Sequence, residues 1–311
     1  MARSKAGKEG PALSLVRSCD RCGFKFGATK AKCPSCNFWH LKAHSSADTE
    51  PAKPADPNDD QTVLLSDVEG EEDLRYVLPK PLQWANRVFG GGIVTNSVNL
   101  YGGKNGAGKS TLSLQLAIAL SLAPDPVWTP SHIPNSKEVL LVAAEEKGIA
   151  IKSRAKRLKL GDHMHLIRLH PVGSSADLSS IIMTRRPRAI IFDSLPAFVS
   201  DPAEAVDFCQ TLKDYAMAID CPMVVIDHVN KSDDFAGLES LQHKVDGCFI
   251  QYPVEDSRDN EMREINVTKN RFGPANFVMR VRMTETGIVY HESDQADDPA
   301  LGGDDDDDDD E

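Results

Sequence analysis

A chain of 311 residues has room for one large domain with appendages, or for two domains. Its 41% hydrophobic content supports a packed core, and no stretch is long and apolar enough to span a bilayer, so no membrane partner is expected. The net charge of −12 is unevenly spread: residues 1–44 sum to +7, residues 45–73 to −9 and residues 74–293 to +1, while residues 294–311 carry eleven acids and no base. An acidic total therefore does not exclude nucleic acid, because the basic head is free to meet it.

Residues 1–18 are basic and lack the apolar segment of a signal peptide, and they read as a flexible N-terminus. Cys19 and Cys22 are followed after ten residues by Cys33 and Cys36. Four thiolates paired in this way hold Zn²⁺ tetrahedrally with no position left open. Residues 19–44 are thus predicted to be a structural zinc ribbon. With seven cysteines in all, an odd number, metal binding in a reducing cytoplasm fits better than disulfides. Arg17, Arg21, Lys25, Lys30 and Lys32 interleave with Phe24, Phe26, Phe38 and Trp39. That mixture suits contact with a DNA backbone and some stacking, although the core of a small ribbon accounts for most of the aromatics. Residues 45–73 read as an acidic linker, the first part of it a disordered tether.

The globular core is placed at residues 74–293. A short helix is predicted over Leu82 to Phe89 and a buried strand over Val98 to Tyr101. Gly103, Lys104, Asn105, Gly106, Ala107, Gly108, Lys109 and Ser110 then fit Gly-x-x-x-x-Gly-Lys-Ser, followed by Thr111 and an apolar helix over Ser113 to Leu122. Strand, glycine-rich loop and helix in that order are what a phosphate-binding loop needs. Backbone N–H groups turn inward around phosphate and the helix start adds partial positive charge. Lys109 is expected to reach the β- and γ-phosphates of ATP, and the Ser110 hydroxyl to ligate Mg²⁺. A strand over Glu138 to Ala144 ends in Glu145-Glu146, where a carboxylate is placed to orient an attacking water.

A helix over Gly148 to Leu160 and a strand over His165 to Leu169 come next, then a helix over Leu178 to Thr184. The apolar strand Ala189 to Asp193 puts a carboxylate about 80 residues after the phosphate loop, suited to hold Mg²⁺ through its water shell. Asp201 to Ile219 is helical, and Cys221 to His228 is a strand whose terminal histidine is a candidate γ-phosphate sensor or a satisfied surface residue. Residues 231–244 read as a polar loop. Strands follow over Val245 to Tyr252 and Glu264 to Lys269, then a hairpin over Val278 to Met283 and Gly287 to Tyr290. Alternating strands and helices imply an α/β fold with a mostly parallel central sheet, helices on both faces and ligands at the strand C-termini.

Several motifs, in order, give the chain a strong resemblance to the bacterial RadA/Sms family of zinc-ribbon, RecA-like recombination ATPases. They are the four cysteines with Phe38-Trp39, Arg87-Val88-Phe89-Gly90-Gly91-Gly92, the phosphate loop, Val142 to Glu146, Asp227-His228-Val229-Asn230-Lys231 and Lys269-Asn270-Arg271-Phe272-Gly273. The resemblance implies a RecA-like P-loop core, Glu145 as catalytic glutamate, His228 on a sensor strand, and Lys269 and Arg271 reaching ATP across a subunit interface in a hexameric ring. It implies action on single-stranded or branched DNA, by branch migration as in RadA or as a helicase of the DnaB type. Annealing without motor activity is the alternative. The chain is similar to shortened phage forms that lack the family's Lon-protease-like domain, and Glu239 stands where the family's DNA-contacting loop usually has Arg. Residues 294–311 are expected to be a disordered polyacidic tail that meets a basic replisome or recombinase partner, or serves only solubility.

Overall fold

The computed structural model describes residues 16–18, 25–27, 74–126, 137–143, 145–171, 178–199, 201–228, 238–254 and 261–292. The elements in chain order begin with a small antiparallel pair, β1 (Val16–Ser18) and β2 (Lys25–Gly27), with Ser18 opposite Lys25. A second small pair, β3 (Arg75–Tyr76) and β4 (Ile93–Val94), encloses the short helix α1 (Ala85–Val88). Then come β5 (Val98–Gly103), α2 (Lys109–Leu122), β6 (Val139–Ala143), α3 (Gly148–Arg157), β7 (Ile167–Pro171), α4 (Leu178–Arg185) and β8 (Ala189–Asp193). The core closes with α5 (Pro202–Ile219), β9 (Met223–Ile226), α6 (Leu238–Gln242), β10 (Gly247–Pro253), β11 (Met262–Asn270), β12 (Phe277–Thr284) and β13 (Gly287–Val289).

Nine of these strands make one sheet in the order β13-β12-β11-β10-β5-β9-β8-β6-β7. From β10 to β7 every pairing is parallel, and from β10 to β13 every pairing is antiparallel. The expected mostly parallel α/β sheet is present, and the antiparallel strands are stitched onto its edge through β10.

Apolar runs explain why the parallel strands lie inside. Leu140, Val142, Ile190 and Phe192 point to one face with Val98, Leu100 and Val225, where Ile182 of α4 and Phe208 and Leu212 of α5 cover them. Leu141, Ala143, Ile191 and Tyr101 point to the other face, under α1, α2 and α3. Such strands are apolar at every position because both faces are covered. Helix α5 starts where the Asp201 carboxylate accepts from the Glu204 amide at 2.9 Å, with Pro202 in its first turn. It ends at Asp220, which takes a left-handed φ of 48°.

Two local features differ from the sequence reading. Helix α2 begins at Lys109 itself, directly on the loop, and the stretch read as a polar loop over 231–244 contains α6, whose Leu241 is buried in the core. The far end of α2 is pinned. Arg188, 1% exposed, donates to the Leu120 carbonyl at 3.2 Å and the Ala123 carbonyl at 2.5 Å, pairs with Asp125, and lies 5.0 Å over the Tyr76 ring. Cations at a helix C-terminus satisfy the last carbonyls and complement its dipole.

Candidate functional site

Strand β5 carries the chain straight into the glycine loop, and β6, β8 and β9 end beside it. Gly106 has φ 77° and a Cβ there would meet nothing within 4 Å, so this side of the loop is open. Gly108 precedes α2 with φ 106°, and no side chain caps the helix start. Lys109 is 5% exposed, and its ammonium donates to the Gly103 carbonyl at 2.6 Å and the Lys104 carbonyl at 3.0 Å. Burial, partly offset by Asp193 and Glu145, pulls its pKa below the usual lysine value.

Asp193, at the end of β8, accepts from the Ser113 hydroxyl at 3.4 Å and also faces Ser110. Burial, with the charges of Glu145 and Glu146, pushes its carboxyl above the ordinary aspartate range. Asp227, at the end of β9, accepts from the His228 amide at 2.7 Å and is likewise raised by burial. Glu145 behaves the other way. Its carboxylate accepts from the Ser194 hydroxyl at 2.5 Å and from His228 Nε2 at 3.2 Å. The Ser194 bond foremost holds its pKa below the usual glutamate value.

A carboxylate only accepts, so Nε2 carries the proton; among the described residues Nδ1 has no partner. Phe192 sets this geometry by packing edge-on against Phe198 and Phe208, with centroids 5.6 Å apart in each pair, which holds the end of β8 in place. Glu146 points elsewhere and pairs with Arg154 of α3. Of the two adjacent glutamates, Glu145 is therefore the one turned toward Lys109 and Asp193.

Lys269 and Arg271 do not join this group. Lys269 lies opposite Cys248 and its ammonium donates to the Gln242 carbonyl at 2.6 Å. Arg271 donates to Asp246 at 2.9 Å, and Lys213 donates to the same carboxylate oxygen at 2.8 Å. The other oxygen of Asp246, a residue 3% exposed, accepts from the Val98 amide at 3.0 Å. Val98 opens β5 and Gly103 closes it, so this cationic cluster sits about 17 Å from the loop, at the opposite end of the sheet.

Sequence reasoning gave no role to Ser194, Ser113, Asp227 or Asp246. Ser194 and Asp227 adjoin residues that it singled out, and the end of an apolar strand is the signal that could have found them. Asp246 carried no such signal, because its partners stand 25, 33 and 148 residues away. Cys19, Cys22, Cys33 and Cys36 lie outside the described residues, as do the acidic linker and the tail. No described helix is long and apolar enough to cross a membrane.

Loop, helix start, strand-end carboxylates and sheet order together define a RecA-like P-loop nucleotide-binding core. Residues 71–234 match the family model described as AAA domain, and the chain belongs to that family. It is RadA/Sms-like. Its relatives include the DNA repair protein RadA of Chlamydia pneumoniae, 30% identical over 279 residues, or 87% of this chain and 57% of that protein. The DNA repair protein RadA of Bacillus subtilis is 29% identical over 288 residues, and that of Aquifex aeolicus 26% over 278, each match covering 87% of this chain and 58% of the relative. The chain thus spans somewhat under three fifths of the length of the curated relatives that it matches.

Proposed function

We propose that the chain is a DNA-repair and recombination ATPase that hydrolyses ATP at sites shared between neighbouring subunits. The observation that carries this reading is the separation of two half-sites. Lys109, Ser110, Asp193 and Glu145 converge at one end of the sheet, while Lys269 and Arg271 stand at the other, out of reach of their own loop. Head-to-tail contact between subunits would bring the two halves together, in a ring such as a hexamer.

ATP·Mg²⁺ fits the first half. The uncapped start of α2, the buried ammonium of Lys109 and the Ser110 hydroxyl beside Asp193 are the donors that a metal-bound triphosphate requires. Gly103 to Thr111 would cradle the phosphates and Asp193 would hold water of the metal shell. The metal would neutralise charge on the β- and γ-oxygens. Glu145, kept ionised by Ser194, would accept the proton of the attacking water. His228 would report the γ-phosphate by passing its Nε2–H from Glu145 to a phosphate oxygen. Lys269 and Arg271 of the neighbour would stabilise charge on the transferring group, an effect worth roughly 10³-fold or more in rate.

The domain plan is proposed with this function: a zinc ribbon over 19–44, an acidic linker over 45–73, the core over 74–293 and a polyacidic tail over 294–311. The antiparallel pairing of β1 and β2, on either side of Cys19 and Cys22 in the sequence, supports the ribbon reading. Zn²⁺ on Cys19, Cys22, Cys33 and Cys36 would stiffen that head, whose basic residues point the engine at single-stranded or branched DNA. RadA-like branch migration and DnaB-like unwinding are alternative uses of such an ATPase, separated by strand unwinding of a simple fork. The test is ATP hydrolysis with and without single-stranded DNA, in wild type and Lys109→Ala. DNA-stimulated hydrolysis that the substitution abolishes is expected; equal rates in all four conditions would sink the proposal.

A further inference from the structure

We propose that Gln251, seconded by Arg263, is a positioning residue of the phosphate loop: it fixes the Ala107–Gly108 peptide so that the Gly108 amide faces the nucleotide's phosphates. The inference rests on the phosphate-loop reading above and deepens it. Gln251 stands on β10, opposite Gly103 of β5, and is 0% exposed. Both ends of its amide are in use. Tyr101 Oη donates to Oε1 at 2.8 Å, and Nε2 donates to the Ala107 carbonyl at 2.8 Å. Arg263 on β11 gives the same carbonyl a second donor, Nε at 3.2 Å.

A flipped Gln251 amide would set Oε1 against the Ala107 oxygen, acceptor against acceptor, so that carbonyl fixes the donor's direction while the Tyr101 hydroxyl anchors the other end of the amide. The consequence reaches the loop through covalent geometry. In a planar trans peptide the carbonyl oxygen and the following amide hydrogen point in opposite directions. Holding the Ala107 oxygen toward β10 therefore turns the Gly108 N–H away from β10.

Glycine at 108 makes this restraint necessary, because it tolerates both signs of φ and would let the peptide turn over. Close packing needs glycine at 103, where a Cβ would lie 2.4 Å from the Gln251 carbonyl oxygen, while a Cβ on Gly108 would displace the movable end of Met283. The strands β10 and β12 thus form a floor beneath the loop, and Gln251 is the point at which that floor grips the loop backbone. Nothing in the Gly-x-x-x-x-Gly-Lys-Ser pattern specifies this grip, which comes from a residue 144 positions beyond Ala107.

The test compares ADP with AMP as ligands of the full chain by titration calorimetry. A β-phosphate reaches into the loop and AMP lacks one. Gln251→Met keeps the length of the side chain and removes the donor. The ADP-to-AMP affinity ratio is expected to fall about tenfold, on the order of one hydrogen bond. Should this variant not fold, Tyr101→Phe decides: it removes the hydrogen bond that anchors the amide's other end and loosens its grip on the Ala107 carbonyl, and the ratio is expected to fall about threefold. An unchanged ratio in a folded variant, or equal losses for ADP and AMP, would overturn the inference. A wild type that does not prefer ADP would overturn the phosphate-loop reading and this inference with it.

Discussion

The two ends of the central sheet carry opposite chemistry. At the C-terminal ends of the parallel strands, Glu145, Asp193 and Asp227 surround a single buried cation, Lys109. At the N-terminal ends, Lys213, Lys269 and Arg271 gather about a single buried anion, Asp246. Such opposite ends are what the proposed head-to-tail contact between subunits would bring together. The ends also differ in what holds them. The acid end is held by short hydrogen bonds between residues at neighbouring strand ends, and the basic end by one carboxylate that joins β5, β10, β11 and α5.

The comparison breaks most visibly at Arg271. Its side chain is 47% exposed, so Arg271→Ala is expected to cost less than about 1 kcal/mol of stability. Hydrolysis should nevertheless fall by roughly 10³-fold. Mixing it with Lys109→Ala is expected to restore part of the rate, because each variant supplies the half-site that the other lacks. No recovery in such mixtures would place both halves in one subunit.

Asp246→Asn reads the other side of the basic end. Its carboxylate compensates two cations and a backbone amide while 3% exposed, and losing one charge of a buried group of this kind costs on the order of 3 kcal/mol. Urea denaturation should show that loss at pH 7, with the ADP affinity of the remaining folded protein unchanged.

The smallest effect belongs to the acid end. The Ser194 hydroxyl depresses the pKa of Glu145, so the carboxylate stays ionised, and able to take a proton, to lower pH than an ordinary glutamate. Activity that needs this base is lost as pH falls through its pKa. Ser194→Ala removes the donor and raises that pKa, so the acid limb of the kcat–pH profile should move to higher pH. A limb that stays in place would show that Ser194 does not tune the base.

Much of the acid end was legible in the sequence because its parts stand at the ends of apolar runs. Gly103 to Ser110, Glu145, Asp193 and His228 each follow such a run, and parallel strands deliver all of their C-termini to one edge. The basic end was legible only through the resemblance of Lys269 to Gly273, and its hub was not. Asp246 gains its partners by pairings across the sheet, and a lone aspartate before a strand carries no mark of that. The edge strands had a similar fate. Each of β11, β12 and β13 was visible as a strand, and the last two as a hairpin, but attachment through β10 depends on which strand lies beside which and in what direction, which alternation along one strand does not state. The helix α6 was hidden for a simpler reason: five residues are too few to show a period of 3.6.

Arg188 clamps the base of α2, and a clamp there would shape any motion that a nucleotide caused. Its guanidinium ties the last carbonyls of the helix to the start of β8 and to the Tyr76 ring, while the other end of the same helix begins at Lys109. A rod loaded at its tip and clamped at its root does not slide; it swings. Fourteen residues at about 1.5 Å each make an arm of roughly 21 Å, over which a tilt of a few degrees moves the tip by about 1 Å or more. If the proposed ATPase moves this helix as it turns over, the movement would be angular, with its fulcrum at a buried arginine far from the phosphate loop.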